Sequence, residues 1–73
     1  MIQIRELTEE DKGRWVIYKP YHAKDNPEQW ERGKLKSWNS DIIFVVYKCN
    51  NEWHRYQDFT GAATYPEDLE FEK

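Results

Sequence analysis

The chain has 73 residues, enough for one domain and no more. Such a chain buries only ~60% of the surface it exposes when unfolded, which excludes a large core. Charged residues make up 34% and the net charge is −3, with pI about 5.3 and mean hydropathy −1.10, so no general electrostatic pull toward nucleic acid is expected. The aromatic fraction of 16%, with four Trp and five Tyr, argues for a folded domain, because disordered chains are poor in rings.

In chain order, Met1 to Leu7 alternates weakly, with Ile2 and Ile4 on one side and Gln3 and Arg5 on the other, as in a short edge strand. Thr8-Glu9-Glu10-Asp11 has the form of a helix start, with Thr8 as N-cap and acids in the first turn. Gly13 limits it to one helical turn. Arg14 to Lys19 reads as a strand with Val16 and Tyr18 on one face and Trp15 and Ile17 on the other, ended by Pro20. Tyr21 to Glu28 carries loop chemistry that extends through Gln29 and Trp30.

The clearest signal is Glu31 to Lys48. Lys34, Lys36 and Trp38 alternate with Leu35 and Ser37, and Asn39-Ser40-Asp41 supplies a corner. Ile42 to Tyr47 is entirely β-branched or aromatic, so this is a hairpin. Both faces of that second strand are apolar, which leaves open which one is buried; Phe44 and Val46, if outside, form an apolar patch. Asn50-Asn51 is a second turn signal, and Cys49 before it reads as a small apolar strand end. Glu52 to Phe59 alternates as a mixed strand, with Trp53, Arg55, Gln57 and Phe59 on one face. Thr60 to Thr64 suits a turn, and Leu69 with Phe71 closes the sheet. The expected inward set is Val16, Tyr18, Leu35, Ile43, Val45, Tyr47 and Leu69. Strands about ten residues apart imply an all-β fold: a small SH3-like barrel of four to five antiparallel strands, with one short helical turn near the N-terminus.

The segments Gly13–His22 (GRWVIYKPYH), Glu31–Asn39 (ERGKLKSWN), Ile43–Tyr47 (IFVVY) and Ala63–Leu69 (ATYPEDL) resemble a family of small, mostly uncharacterised phage and prophage proteins. The resemblance implies an origin and a fold, an SH3-like barrel, and no catalytic kit. The N-terminal dozen residues and the Asn50 to Thr60 segment lie outside it.

Catalytic signals are sparse. His22 and His54 are the two histidines, and a Cys49–His54 pairing across the second turn is the one conceivable nucleophile arrangement, without a base-orienting partner. These residues share no metal motif, and the three glycines form no phosphate-cradling loop, so neither metal nor cofactor is expected and the chain is read as a non-enzyme. The sole cysteine permits no internal disulfide, and no apolar run resembles a signal peptide or membrane span, which predicts a cytoplasmic protein; the phage resemblance implies that the cell is a bacterial host.

Binding is the expected activity. Tyr21, His22, Trp30, Trp38, Trp53, Tyr56 and Tyr65 sit in or beside predicted loops or on mixed faces, and are the candidate contacts for a protein partner of the host or phage. An inhibitor of a bacterial defence system is one form of that reading. The alternative is a nucleic-acid module using Lys34, Lys36, Lys48 and Arg55 between the rings. A homodimer through exposed apolar strand surface is a further expectation.

Overall fold

The computed structural model describes Met1–Lys73. Five strands form one antiparallel sheet: β1 (Trp15–Tyr18), β2 (Glu31–Trp38), β3 (Ile43–Val46), β4 (Ala62–Thr64) and β5 (Leu69–Phe71). Their order is β4-β3-β2-β1-β5, so β4 and β5 are the two edges and the sheet is not closed. The remaining regular structure is short 3-10 turns, and no helix is long and apolar enough to cross a membrane.

Strand β2 holds the two halves together. Glu31 to Lys34 pair with Tyr18 to Trp15, while Lys34 to Trp38 pair with Val46 to Ile43. At the changeover sits Gly33, buried. A Cβ there would lie 2.6 Å from the Val46 carbonyl oxygen and 2.7 Å from Val45 Cγ1, closer than any side chain tolerates. The missing side chain lets β3 lean over β2 and curl the sheet.

The corner after β2 forms as its chemistry predicts. Asn39 Oδ1 accepts from the backbone N–H of Asp41 and of Ile42, both at 2.8 Å, and Asn39 N–H donates to the Ile42 carbonyl at 3.0 Å. One residue of the alternation shifts, however. The register breaks between Leu35 and Ser37, so Ser37 faces Phe44 and Trp38 faces Ile43. This bulge moves Trp38 from the lysine face to the core face.

The core is Ile2, Val16, Leu35, Ile43, Val45 and Leu69, with Ile4, Leu7, Tyr18, Trp38, Tyr47 and Phe71 packed partly against it. Ile43 and Val45 thus take the inward face of β3. Its other face is not an exposed apolar patch: Val46 is fully buried and Phe44 is half-buried. Cys49, directly after β3, is buried as a small apolar residue.

Three segments depart from the expected elements. Ile4–Glu6 is a 3-10 turn instead of an edge strand; i to i+3 backbone bonds (Glu6 N–H to Gln3, Leu7 N–H to Ile4) fold Ile2, Ile4 and Leu7 onto the core. Trp53–Asp58 is a 3-10 segment with a kink at Arg55, not a strand. Trp53, Tyr56 and Phe59, three apart, are half-buried, whereas His54, Arg55, Gln57 and Asp58 are exposed. That is the period of a 3-10 helix, and the intervening charges mimic alternation. Asn50 and Asn51, at φ 54° and 64°, reverse the chain ahead of it. Ala62–Thr64, expected as a turn, is instead strand β4, since its small side chains let it pair along β3.

The Thr8 turn forms as expected. Thr8 N–H donates to Asp11 Oδ2 at 2.9 Å, Glu9–Asp11 makes one 3-10 turn, and Gly13 leaves it at φ 88°. Gly33→Ala tests the changeover: it is expected to destabilise the fold by about 1–3 kcal/mol, read as a lowered urea midpoint at unchanged slope.

Candidate functional site

The seven aromatic and histidine candidates separate into three places. Trp30 clamps the β1–β2 connection: its indole N–H donates to the Ala23 carbonyl at 2.9 Å, and Lys19 Nζ lies 4.5 Å from its ring centroid. Trp38 is a lid on the core, with Lys12 Nζ 5.6 Å from its ring. Trp53 and Tyr56 cap the opposite face of the sheet. The Trp53 and Trp15 rings meet edge to face at 4.7 Å, and the Tyr56 phenol lies against Gly13. All four rings are partly buried and packed against the fold.

The remaining three candidates are exposed. Tyr65 is 62% exposed and Tyr21 is 85% exposed; His22, beside Tyr21, is exposed as well. Tyr65 lines a groove of about 410 Å³ together with Tyr18, Glu31, Tyr47, Ala62, Thr64 and Asp68. Its floor is built by strand register. Tyr18 pairs with Glu31 across β1 and β2, and the Tyr18 and Tyr47 rings are 6.1 Å apart at 60°. The Tyr47 hydroxyl and Thr64 Oγ1 are hydrogen-bonded at 2.9 Å. The 3-10 turn Pro66–Asp68 brings Asp68 to the rim, and Tyr21 shares the adjoining depression with Asp68 and Glu67. Sequence reasoning assigned Tyr18 and Tyr47 to the core, which is half of their role, and passed over Glu31 and Asp68. A signal was present in the TYPED run (Thr64–Asp68), where an exposed ring precedes a proline turn with two acids.

The proposed basic face is largely occupied by the molecule itself. Lys34 Nζ donates to the Trp53 carbonyl at 3.3 Å, and Lys36 Nζ donates to the Phe59 carbonyl. Arg55 pairs with Asp58 at 3.1 Å and with Glu52 at 3.5 Å. Lys48 is exposed. Arg32 forms a bidentate pair with Glu72 at 2.6 and 2.7 Å while its guanidinium lies 3.5 Å from the Trp15 ring centroid. That hydrogen bond holds the Glu72 carboxyl below its ordinary range. Cations on this side therefore tie Trp53, Phe59 and Glu72 to the sheet.

His54 is exposed and Cys49 is buried, and no hydrogen bond joins them. No cluster of three or more His, Cys, Asp or Glu side chains has metal-binding geometry. Compared with known proteins, the chain matches no family model, no curated protein and no solved structure.

Burial pushes the Tyr47 hydroxyl up to about 12, opposed by its Thr64 hydrogen bond and reinforced by the negative charges of Glu31 and Asp68 and by Tyr18. Because the folded state holds this proton more tightly than the unfolded chain, its contribution to stability is complete below pH 10. It is lost as pH rises through about 12. In ultraviolet titration one tyrosine is expected to ionise near pH 12, above the ordinary tyrosine value of about 10; that late step should vanish in Tyr47→Phe. The same variant, which loses the Thr64 bond, should cost about 1 kcal/mol of stability.

Proposed function

We propose that this chain is a non-enzymatic, SH3-like protein-binding module that engages its partner through the tyrosine groove. The observation that carries the reading is the groove itself, where Tyr18, Tyr47 and Tyr65 converge while Trp15, Trp30, Trp38, Trp53 and Tyr56 pack against the fold. Rings that are half-buried and held by neighbours contribute contact area at small entropic cost, which is what a recognition surface needs. The groove also lies within the volume range of natural ligand sites.

Three features support the SH3-like reading. A long curled β2 is shared by both halves, β1 to β4 run as a meander, and β5 returns beside β1 after the 3-10 turn Pro66–Asp68. The resemblance of Gly13–His22 and Ala63–Leu69 to small phage and prophage proteins supports a phage or prophage origin, with a host or viral protein as partner. Blocking a component of a bacterial defence system is one form such binding takes.

The test is affinity capture from bacterial lysate, with and without nuclease, using the wild type and the exposed-ring variants Tyr65→Ser and Tyr21→Ser. A protein retained after nuclease, and weakened on the order of tenfold or more by Tyr65→Ser, is the expected result. Capture that vanishes with nuclease, or that ignores both substitutions, overturns the assignment.

A further inference from the structure

The charge around the groove specifies what enters it. Its lining holds the carboxylates of Glu31 and Asp68 and contains no lysine or arginine. Six of the fourteen acids are held in ion pairs; Glu31 and Asp68 are among those that are not, and neither side chain accepts a hydrogen bond within the molecule. The adjoining depression holds two lysines: Lys19 pairs with Glu70 at 3.2 Å and lies over Trp30 at 4.5 Å, while Lys24 is exposed and forms no ion pair with either groove carboxylate. The hydroxyl of Tyr47 is already bonded to Thr64, so its ring is the part offered to a ligand.

From this arrangement we propose that the groove receives a cationic side chain, lysine or arginine, carried on an extended segment of the partner protein. The inference rests on the reading of the groove as the binding site. A guanidinium or ammonium gains from both parts of the lining at once. The ring faces of Tyr18, Tyr47 and Tyr65 attract a cation, and the carboxylates of Glu31 and Asp68 at the rim accept its hydrogen bonds. The same two carboxylates repel phosphate, which sets a nucleic-acid strand against this surface. The volume of about 410 Å³ exceeds what one side chain fills, so flanking backbone occupies the rest, against Ala62, Ala63 and Tyr65. The net charge of −3 draws a basic segment in the same direction.

The experiment is a set of amide-resolved NMR titrations with three synthetic nonapeptides of one uncharged background, centred on arginine, on glutamine and on glutamate. The expected result is that the arginine peptide shifts Tyr18, Tyr47, Thr64 and Asp68, that the glutamate peptide does not, and that binding weakens as salt rises. The double variant Glu31→Gln/Asp68→Asn should weaken the arginine peptide on the order of tenfold while leaving thermal unfolding in place. Equal binding of the glutamine and arginine peptides at the groove overturns the cation assignment and leaves the groove as the binding site. Groove amides unmoved by all three peptides overturn the cation assignment too; the binding-module reading then falls as well if Tyr65→Ser leaves lysate capture intact.

Discussion

Strand β2 has to serve two partners with one backbone, and the sheet depends on how it does so. Its first half is hydrogen-bonded to β1 and its second half to β3, with Lys34 paired to both Trp15 and Val46. At the changeover the backbone of β3 comes so close to Gly33 that a single added carbon would overlap the Val46 carbonyl. A flat sheet of these short strands would leave one face of β3 wet. The curl brings Val16, Leu35, Ile43, Val45 and Leu69 together from four strands and excludes water from all of them, and removing such apolar area from water is the main driving force available to a chain this small.

The curl gives the two faces of the sheet different tasks. The outer one is covered by the 3-10 segment Trp53–Asp58 and fastened by cations: Arg32 between Trp15 and Glu72, Lys34 and Lys36 on main-chain carbonyls. Exposed ion pairs are individually weak. Here, though, the lysines donate to the main-chain carbonyls of Trp53 and Phe59, and Arg32 lays its guanidinium over the Trp15 ring. The inner concave side opens into the tyrosine groove. Glu31 and Asp68 stand there beside the tyrosine rings without an ion pair, and that juxtaposition underlies the proposed preference for a cation.

The sequence made the β2–β3 hairpin legible because its signals are local. An Asn corner whose side chain caps its own backbone and a β-branched run determine their own conformation whatever surrounds them. Thr8 with Asp11 was legible for the same reason. Trp53 to Phe59 was not. Its residues fit a period of two as well as a period of three, and only the presence of Trp15 and Gly13 beneath Trp53 and Tyr56 selects the second. Trp38 was misplaced because a bulge, invisible in the side-chain pattern, adds one residue to β2 and reverses every facing after it. Of the candidate site, Tyr21, His22 and Tyr65 were identified as surface residues from their loop chemistry. Glu31 and Asp68 were passed over because an acid in sequence looks alike whether it is paired or free.

The amino-acid sequence by itself determined the all-β class, the hairpin at Asn39, the turn at Asn50-Asn51 and most of the inward apolar set, since each follows from short-range sterics and from the burial demand of β-branched residues. The tertiary structure alone decided the strand order, the curl at Gly33, the bulge that turns Trp38 inward, and which tyrosines converge. These depend on contacts between residues distant in the chain, such as Tyr47 with Thr64 and Arg32 with Glu72. No local propensity encodes such contacts, because their free energy appears only when the sheet has already brought both partners to the same place.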